Sequence, residues 1–186
     1  INNSIEYMED YIYDIIESTI DHCPVYKINF AFYEKHGSKG FKIIEKIPKI
    51  INNRAITIAD AKRGDIGNSS RYYAEAILDA LGYDSITVSP YMGFDSIEPF
   101  MQYENKGVFI LCLTSNSGSK DFQKVKVNGI NLYEKVAQMA NNCNIKNNIG
   151  IVVGATNSDH LNNMKNICPD IPWLMPGVGF QGGSLE

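Results

Sequence analysis

No stretch of this 186-residue chain approaches the roughly 20 consecutive apolar residues that a membrane-spanning helix needs. The opening, INNSIEYMEDYIYD, lacks the basic stretch and apolar core of an export signal, which predicts a soluble, unexported protein. An excess of positive charge is missing too. With 17 Lys and Arg against 21 Asp and Glu, the formal net charge is −4, so nucleic acid and anionic membranes are excluded as broad partners and any anion site must be local. The four cysteines, Cys23, Cys112, Cys143 and Cys168, stand far apart and form no CxxC or Cys/His ligand spacing. That excludes a readable zinc site or disulfide framework and predicts a reducing, cytoplasmic compartment. Neither GxGxxG nor a Walker pattern occurs, which argues against a dinucleotide or P-loop site.

What the chain does have is periodicity. Apolar residues make up 44% of it, enough for one sizeable core, and a single domain over residues 1–186 is expected. In NSIEYMEDYIYDIIESTI, Ile5, Met8, Ile12, Ile15 and Ile16 recur at helical spacing. A strand follows in VYKINFAFY, with Val25, Lys27 and Asn29 on one face and Tyr26, Ile28 and Phe30 on the other. The alternation continues: helix GFKIIEKIPKIIN, strand AITIADAK, helix SSRYYAEAILDALG, strand SITVSPYMG, a short helix around SIEPFM, and strand GVFILCLTS. Then come helix NLYEKVAQMANNC, with Leu132, Val136, Met139, Ala140 and Cys143 on one face, strand IGIVVGAT, helix SDHLNNMKNIC and strand WLMPGVG. Trp173, before the last strand, reads as core, and His22, His36 and His160 as surface or structural residues.

Six strands alternating with six helices, the strands almost continuously apolar, predict parallel βα units covered on both faces. An open doubly wound sheet would announce itself by a Gly-rich turn after the first strand; a barrel places polar residues at the C-terminal ends of several strands. Lys27 and Asn29, Asp60 and Lys62, Ser89, Thr114 and Ser115, Thr156, and PGVGFQGG fit the barrel. A complete (β/α)8 TIM barrel takes about 250 residues. The expectation is therefore an α/β TIM barrel whose first strand and eighth unit are missing from this chain, leaving it incomplete at both ends.

The segment IADAKRGDIGNSSRYYA, residues 58–74, packs fixed charges against the end of a buried strand. A desolvated charge there costs several kcal/mol unless it is paired, wet or used for chemistry. In an extended strand Asp60 and Lys62 point the same way, and Lys27 on the preceding strand can approach them. Such an alternating array keeps a lysine protonated, which suits proton delivery to a carbanion. By spacing alone a structural ion-pair network fits as well.

DAKRGDIGNSS resembles the DxKxxDIxxT signature of the orotidine 5′-phosphate decarboxylase family, in its DxKRGDIGNT form. YKINFAFYEKHGSKG before it, and TVSPYMGFDSIEPF, LTSNSGSKDFQ, GIVVGAT and PGVGFQGG after it, follow the family's order over nearly the whole chain. The resemblance implies a cofactor-independent, metal-free decarboxylation of orotidine 5′-monophosphate to UMP and carbon dioxide, in pyrimidine biosynthesis. It implies Lys62 as proton donor, Asp60 beside the departing carboxylate, and Lys27 completing the charge network with a ribose contact. Asp65, Ile66 and Ser69, the last standing where the family usually has Thr, would enter the site of a second subunit, making a homodimer with shared sites the active unit. Asn29 would bind the sugar, Ser115 the pyrimidine amide, and Pro176 and Gln181 would line the base and phosphate loop. The family's first-strand aspartate and eighth-strand arginine find no match in this chain.

Taken singly, these residues have blander roles: Ser69 as a helix cap, Ser115 as a loop hydroxyl, Ile66 as core, and the glycines of PGVGFQGG as a tight turn. Two other functions stay open at this stage. One is a sugar-phosphate lyase or isomerase of the same barrel group, which would need a divalent metal. The other is an inactive dimerisation module, fused or not to another pyrimidine enzyme.

Overall fold

The computed structural model describes residues 5–179 together with 182 and 183. In chain order the elements begin with α1 (Ile5–Thr19), β1 (Val25–Asn29), α2 (Ala31–Glu34), α3 (Ser38–Ile51) and β2 (Ile56–Arg63). Next come α4 (Gly67–Ala74), which runs on as a π-helical turn over Glu75–Ala80, and β3 (Ser85–Val88). A 3-10 turn (Phe94–Ser96) leads to α5 (Glu98–Met101), β4 (Gly107–Leu113), α6 (Ser119–Phe122), and the short β5 (Lys126–Val127) and β6 (Ile130–Asn131). The series closes with α7 (Leu132–Cys143), β7 (Ile149–Val153), α8 (Ser158–Ile167) and β8 (Trp173–Leu174). The chain divides into two compact units: residues up to Ala61 with Tyr72–Ile86, and Lys62–Arg71 with the residues from Thr87 onward.

In the first unit β1 lies parallel to β2, from Val25 opposite Ile56 to Asn29 opposite Asp60. The isoleucines of α3 recur every three to four residues, and Ile43, Ile44, Ile47 and Ile51 are buried as that period requires. Gly40 lets α3 close on α2, since a Cβ there would sit 1.8 Å from the Tyr33 carbonyl oxygen. Phe30 and Tyr83 meet edge to face at 5.4 Å, and the Tyr83 hydroxyl donates to the Ile44 carbonyl at 2.9 Å. Thr57 and Asp84 tie the start of β2 to the approach to β3. The Asp84 carboxylate accepts both the Thr57 N–H and its hydroxyl at 2.8 Å, and Thr57 Oγ1 accepts the Asp84 N–H at 2.9 Å.

In the second unit β4, β7 and β8 are parallel neighbours, and every residue of β7 is buried. Val108, Phe109, Ile110 and Leu111 pair in step with Ile149 to Val152, but Leu113 pairs with Val153, so Cys112 is an extra residue in β4. Its Sγ–H donates to the Tyr133 carbonyl at 3.1 Å. The Asn131 and Glu134 side chains form a capping box at the start of α7, satisfying N–H groups that the helix leaves open.

The βα alternation is as the sequence predicts, but several details differ. VYKINFAFY is not strand throughout: β1 stops at Asn29, whose Oδ1 accepts the Ala31 N–H at 3.1 Å and turns the chain into α2. The strands expected over SITVSPYMG, GVFILCLTS, IGIVVGAT and WLMPGVG end at Val88, Leu113, Val153 and Leu174. In the first of these Pro90 brings no N–H to a ladder. The buried face of α7 is Tyr133, Ala137 and Ala140; Leu132, Val136, Met139 and Cys143 lie half-buried beside it. Trp173 is half-buried rather than deep core. The β5–β6 hairpin, antiparallel around Asn128 and Gly129, interrupts the repeat between β4 and α7.

Candidate active site

In the first unit the β1–β2 register places Lys27 opposite Ile58 and Asn29 opposite Asp60. Lys27 Nζ donates to Asp60 Oδ2 at 3.1 Å. Asp60 is only 8% exposed, and an ion pair is the condition under which a buried carboxylate is tolerated. Lys27 and Asn29 line a cavity of about 480 Å³ with Met8, Ile12, Phe32 and Tyr33. A few polar side chains among apolar lining residues are the usual make-up of a small-molecule site.

In the second unit Lys62 is exposed and has φ +48°. The alternation that puts Asp60 and Lys62 on one face assumes an extended strand, and the backbone leaves that conformation at Lys62. For an L-residue other than Gly, Asn or Asp the left-handed region costs roughly 1–2 kcal/mol. The Lys62 N–H donates to Thr87 Oγ1 at 2.9 Å, and one step on, Arg63 accepts the Ser89 N–H at 2.8 Å. Gly64 permits this closeness, because a Cβ there would lie 3.2 Å from Ser89 Cβ.

Asp65 Oδ1 accepts the N–H of Ile66 at 2.8 Å, just before α4 opens at Gly67 with φ +55°. Ser69 is exposed within the first turn of α4, so it does not cap the helix from outside. Ile66 is 56% exposed and is not core. Ser70, its buried neighbour in the helix, donates to the Ser96 carbonyl at 2.6 Å.

Ser115 follows β4 and is exposed. Gly154 packs against it so tightly that a Cβ would stand 2.7 Å from the Ser115 nitrogen. The Pro176 carbonyl accepts the Ala155 N–H at 2.9 Å, tying the glycine loop to the end of β7. Gly177, Gly179 and Gly182 all have positive φ. The N–H groups of Gly179, Gly182 and Gly183 donate within the loop, so the tight turn read from PGVGFQGG is present and uses these three donors itself. Gln181 lies outside the described residues.

Lys27 and Asp60 are thus brought into contact within the first unit, while Lys62, Asp65, Ile66, Ser69, Ser115 and Pro176 belong to the second. Thr87 was not singled out by sequence. A lone hydroxyl in the apolar strand SITV is its only signal. Sequence also gave no sign of a cavity of about 610 Å³ in the second unit, lined by Ser89, Tyr91, Phe122, Gln123 and Tyr133 among others. None of the sequence-expected site residues lines it. Of the histidines, His160 meets the Tyr133 hydroxyl at 3.1 Å. Among the described residues no group of three or more His, Cys, Asp or Glu side chains is placed to hold a metal ion, and no helix is long and apolar enough to cross a membrane.

Parallel βα repeats, with a lysine–aspartate ion pair at the strand ends of the first unit, define an α/β protein of the parallel-sheet class. Residues 6–186 match the model of the orotidine 5′-phosphate decarboxylase / HUMPS family, and the chain belongs to that family. It is 52% identical over 177 residues to an orotidine 5′-phosphate decarboxylase of Dehalococcoides mccartyi, a match covering 93% of this chain and 66% of the relative. The chain therefore spans just under two thirds of that relative's length. Among solved structures it is similar to Leishmania donovani UMP synthase, at TM-score 0.95 and 39% identity, covering 100% of this chain and 42% of the other. It is also similar to Leishmania donovani OMP decarboxylase, at TM-score 0.91 and 37% identity, covering 95% and 71%.

Proposed function

We propose that the chain carries the catalytic core of an orotidine 5′-monophosphate decarboxylase acting in UMP biosynthesis in the cytoplasm. It forms part of a single TIM-barrel domain and works as a homodimer. The observation that carries the reading is the Lys27–Asp60 ion pair at 3.1 Å, whose aspartate is the first residue of the segment DAKRGDIGNSS that resembles the family's signature.

In this reading the bond between the pyrimidine C6 and the carboxylate breaks heterolytically, carbon dioxide leaves, and the electron pair stays on C6. The Lys62 ammonium stabilises that carbanion and gives it a proton, yielding UMP, and Lys62 is reprotonated from solvent. Asp60 stands beside the departing carboxylate, and Lys27 neutralises Asp60 while contacting ribose. Asn29 binds the sugar, Ser115 the pyrimidine amide, and Pro176 and Gln181 the base and phosphate loop. Phosphate contacts remote from C6 draw on binding energy to close the site. Asp65, Ile66 and Ser69 reach the second subunit's site; the 56% exposure of Ile66 supports a role at such an interface, where an apolar side chain would find cover. No metal or cofactor enters the scheme.

The test follows the ultraviolet absorbance of orotidine 5′-monophosphate with EDTA present, using the protein at its native length. Metal-independent turnover that Lys62→Ala abolishes is expected. Absence of turnover overturns the reading, and turnover of a sugar phosphate that EDTA stops would place the protein with the lyases and isomerases of the same barrel group.

A further inference from the structure

Among the described residues five other than glycine have positive φ, and four of them, Asn52, Asn53, Asn128 and Asn147, are asparagines, the side chain that best tolerates that region. The fifth is Lys62 at +48°, for which no local preference exists. Something outside the local sequence must hold it there. Thr87, 1% exposed in β3, has its Oγ1 2.9 Å from the Lys62 nitrogen and accepts that N–H. On the far side the Ser89 N–H donates to the Arg63 carbonyl at 2.8 Å. The twist is therefore pinned on both sides and confined to one residue.

We propose that Thr87 is a positioning residue for Lys62: its buried hydroxyl holds the lysine backbone in the left-handed twist that aims the ammonium at the reacting carbon. The inference rests on the decarboxylase reading of Lys62. A part-buried N–H that loses its acceptor is unfavourable, so removing the hydroxyl lets the Lys62 peptide rotate toward another partner and the backbone relax to negative φ, the region a lysine prefers. The end of a long side chain swings far when the backbone beneath it rotates, and small misplacements of a reacting group cost large factors in rate. The role requires a hydroxyl at this position rather than the shape of a β-branched side chain.

Thr87→Val keeps the shape and removes the acceptor; Thr87→Ser keeps the acceptor. In the native-length protein, Thr87→Val is expected to lower kcat for orotidine 5′-monophosphate by about 10- to 100-fold. KM and UMP affinity should stay within about 2-fold, and Thr87→Ser should retain kcat within about 3-fold of the parent. Thr87→Ala serves as the second removal variant. A Thr87→Val protein with parental kcat overturns the inference and leaves the decarboxylase reading standing. Equal loss of kcat and UMP binding in both the Val and Ala variants, or a Ser variant as impaired as Val, overturns it too, because the residue is then merely structural. A parent protein without turnover overturns the decarboxylase reading and this inference with it.

Discussion

Lys27 and Asp60 meet across neighbouring parallel strands at 3.1 Å, though 33 positions separate them along the chain. The lysine end is about one third exposed and the aspartate end nearly buried, with side-chain exposures of 33% and 9%. The aspartate end of the pair is therefore the more shielded from water.

Lys27→Met should lower stability by about 1 kcal/mol, since a hydrogen bond to a charged group is lost while the exposed end of the pair was already solvated. Its effect on turnover should be larger than its effect on stability. A double-mutant cycle with Asp60→Asn, read by urea denaturation and by kcat, checks both, and additive effects on kcat would show that the two act separately.

Thr57 and Asp84 exchange three hydrogen bonds far along β2 from its charged end. Thr57→Val removes the hydroxyl from two of them and should cost about 1–3 kcal/mol. Steady-state constants at 25 °C should be unchanged. A shift in the denaturation midpoint with constant kcat and KM is the expected result.

Burial pushes the Cys112 thiol well above its ordinary value, helped by the nearby Cys168, and burial raises Cys168 too, against a hydrogen bond with Trp173. At pH 8 both should stay protonated and resist iodoacetamide, while the half-buried Cys23 and Cys143 are labelled. Mass spectrometry of native and urea-unfolded protein reads the difference. The sign for stability follows from the same shift: above the ordinary thiol pKa of 9.0 the unfolded chain gives up these protons first, so their contribution falls as pH rises past that value.

Gly154→Ala would bring a Cβ to 2.7 Å from the Ser115 nitrogen and 2.9 Å from its Cβ, closer than backbone can tolerate. Displacement of Ser115 should cost roughly 1–3 kcal/mol of stability and, on the proposed role of Ser115 in binding the pyrimidine amide, raise KM for orotidine 5′-monophosphate more than it lowers kcat. A parallel Ser115→Ala variant separates the lost contact from the general strain.

Long amphipathic helices were the most legible part of the chain, because the α3 isoleucines at 43, 44, 47 and 51 encode a period that burial alone explains. Strand ends were harder. Phe30, Phe32 and Tyr33 favour strands by type, yet a single Asn29 side chain caps the turn that ends β1. The face of α7 shifted by one residue because Tyr133 is buried where Leu132 is only half-buried. At the candidate site, the Lys27–Asp60 ion pair follows from the β1–β2 strand register. The left-handed Lys62 had no signal in its own neighbourhood, since its acceptor arrives from residue 87.

The supernumerary Cys112 in β4 sets the run from Val108 to Leu113 against the shorter run from Ile149 to Val153 in β7, one residue more on the β4 side. Every side chain beyond it is carried to the opposite side from the one that strict alternation would assign, and Ser115 is three positions downstream. Excising this one sulfur-bearing residue would leave the composition of the strand almost untouched while drawing Ser115 into the place that Thr114 holds. Parity, more than hydrophobicity, is what this strand has to preserve.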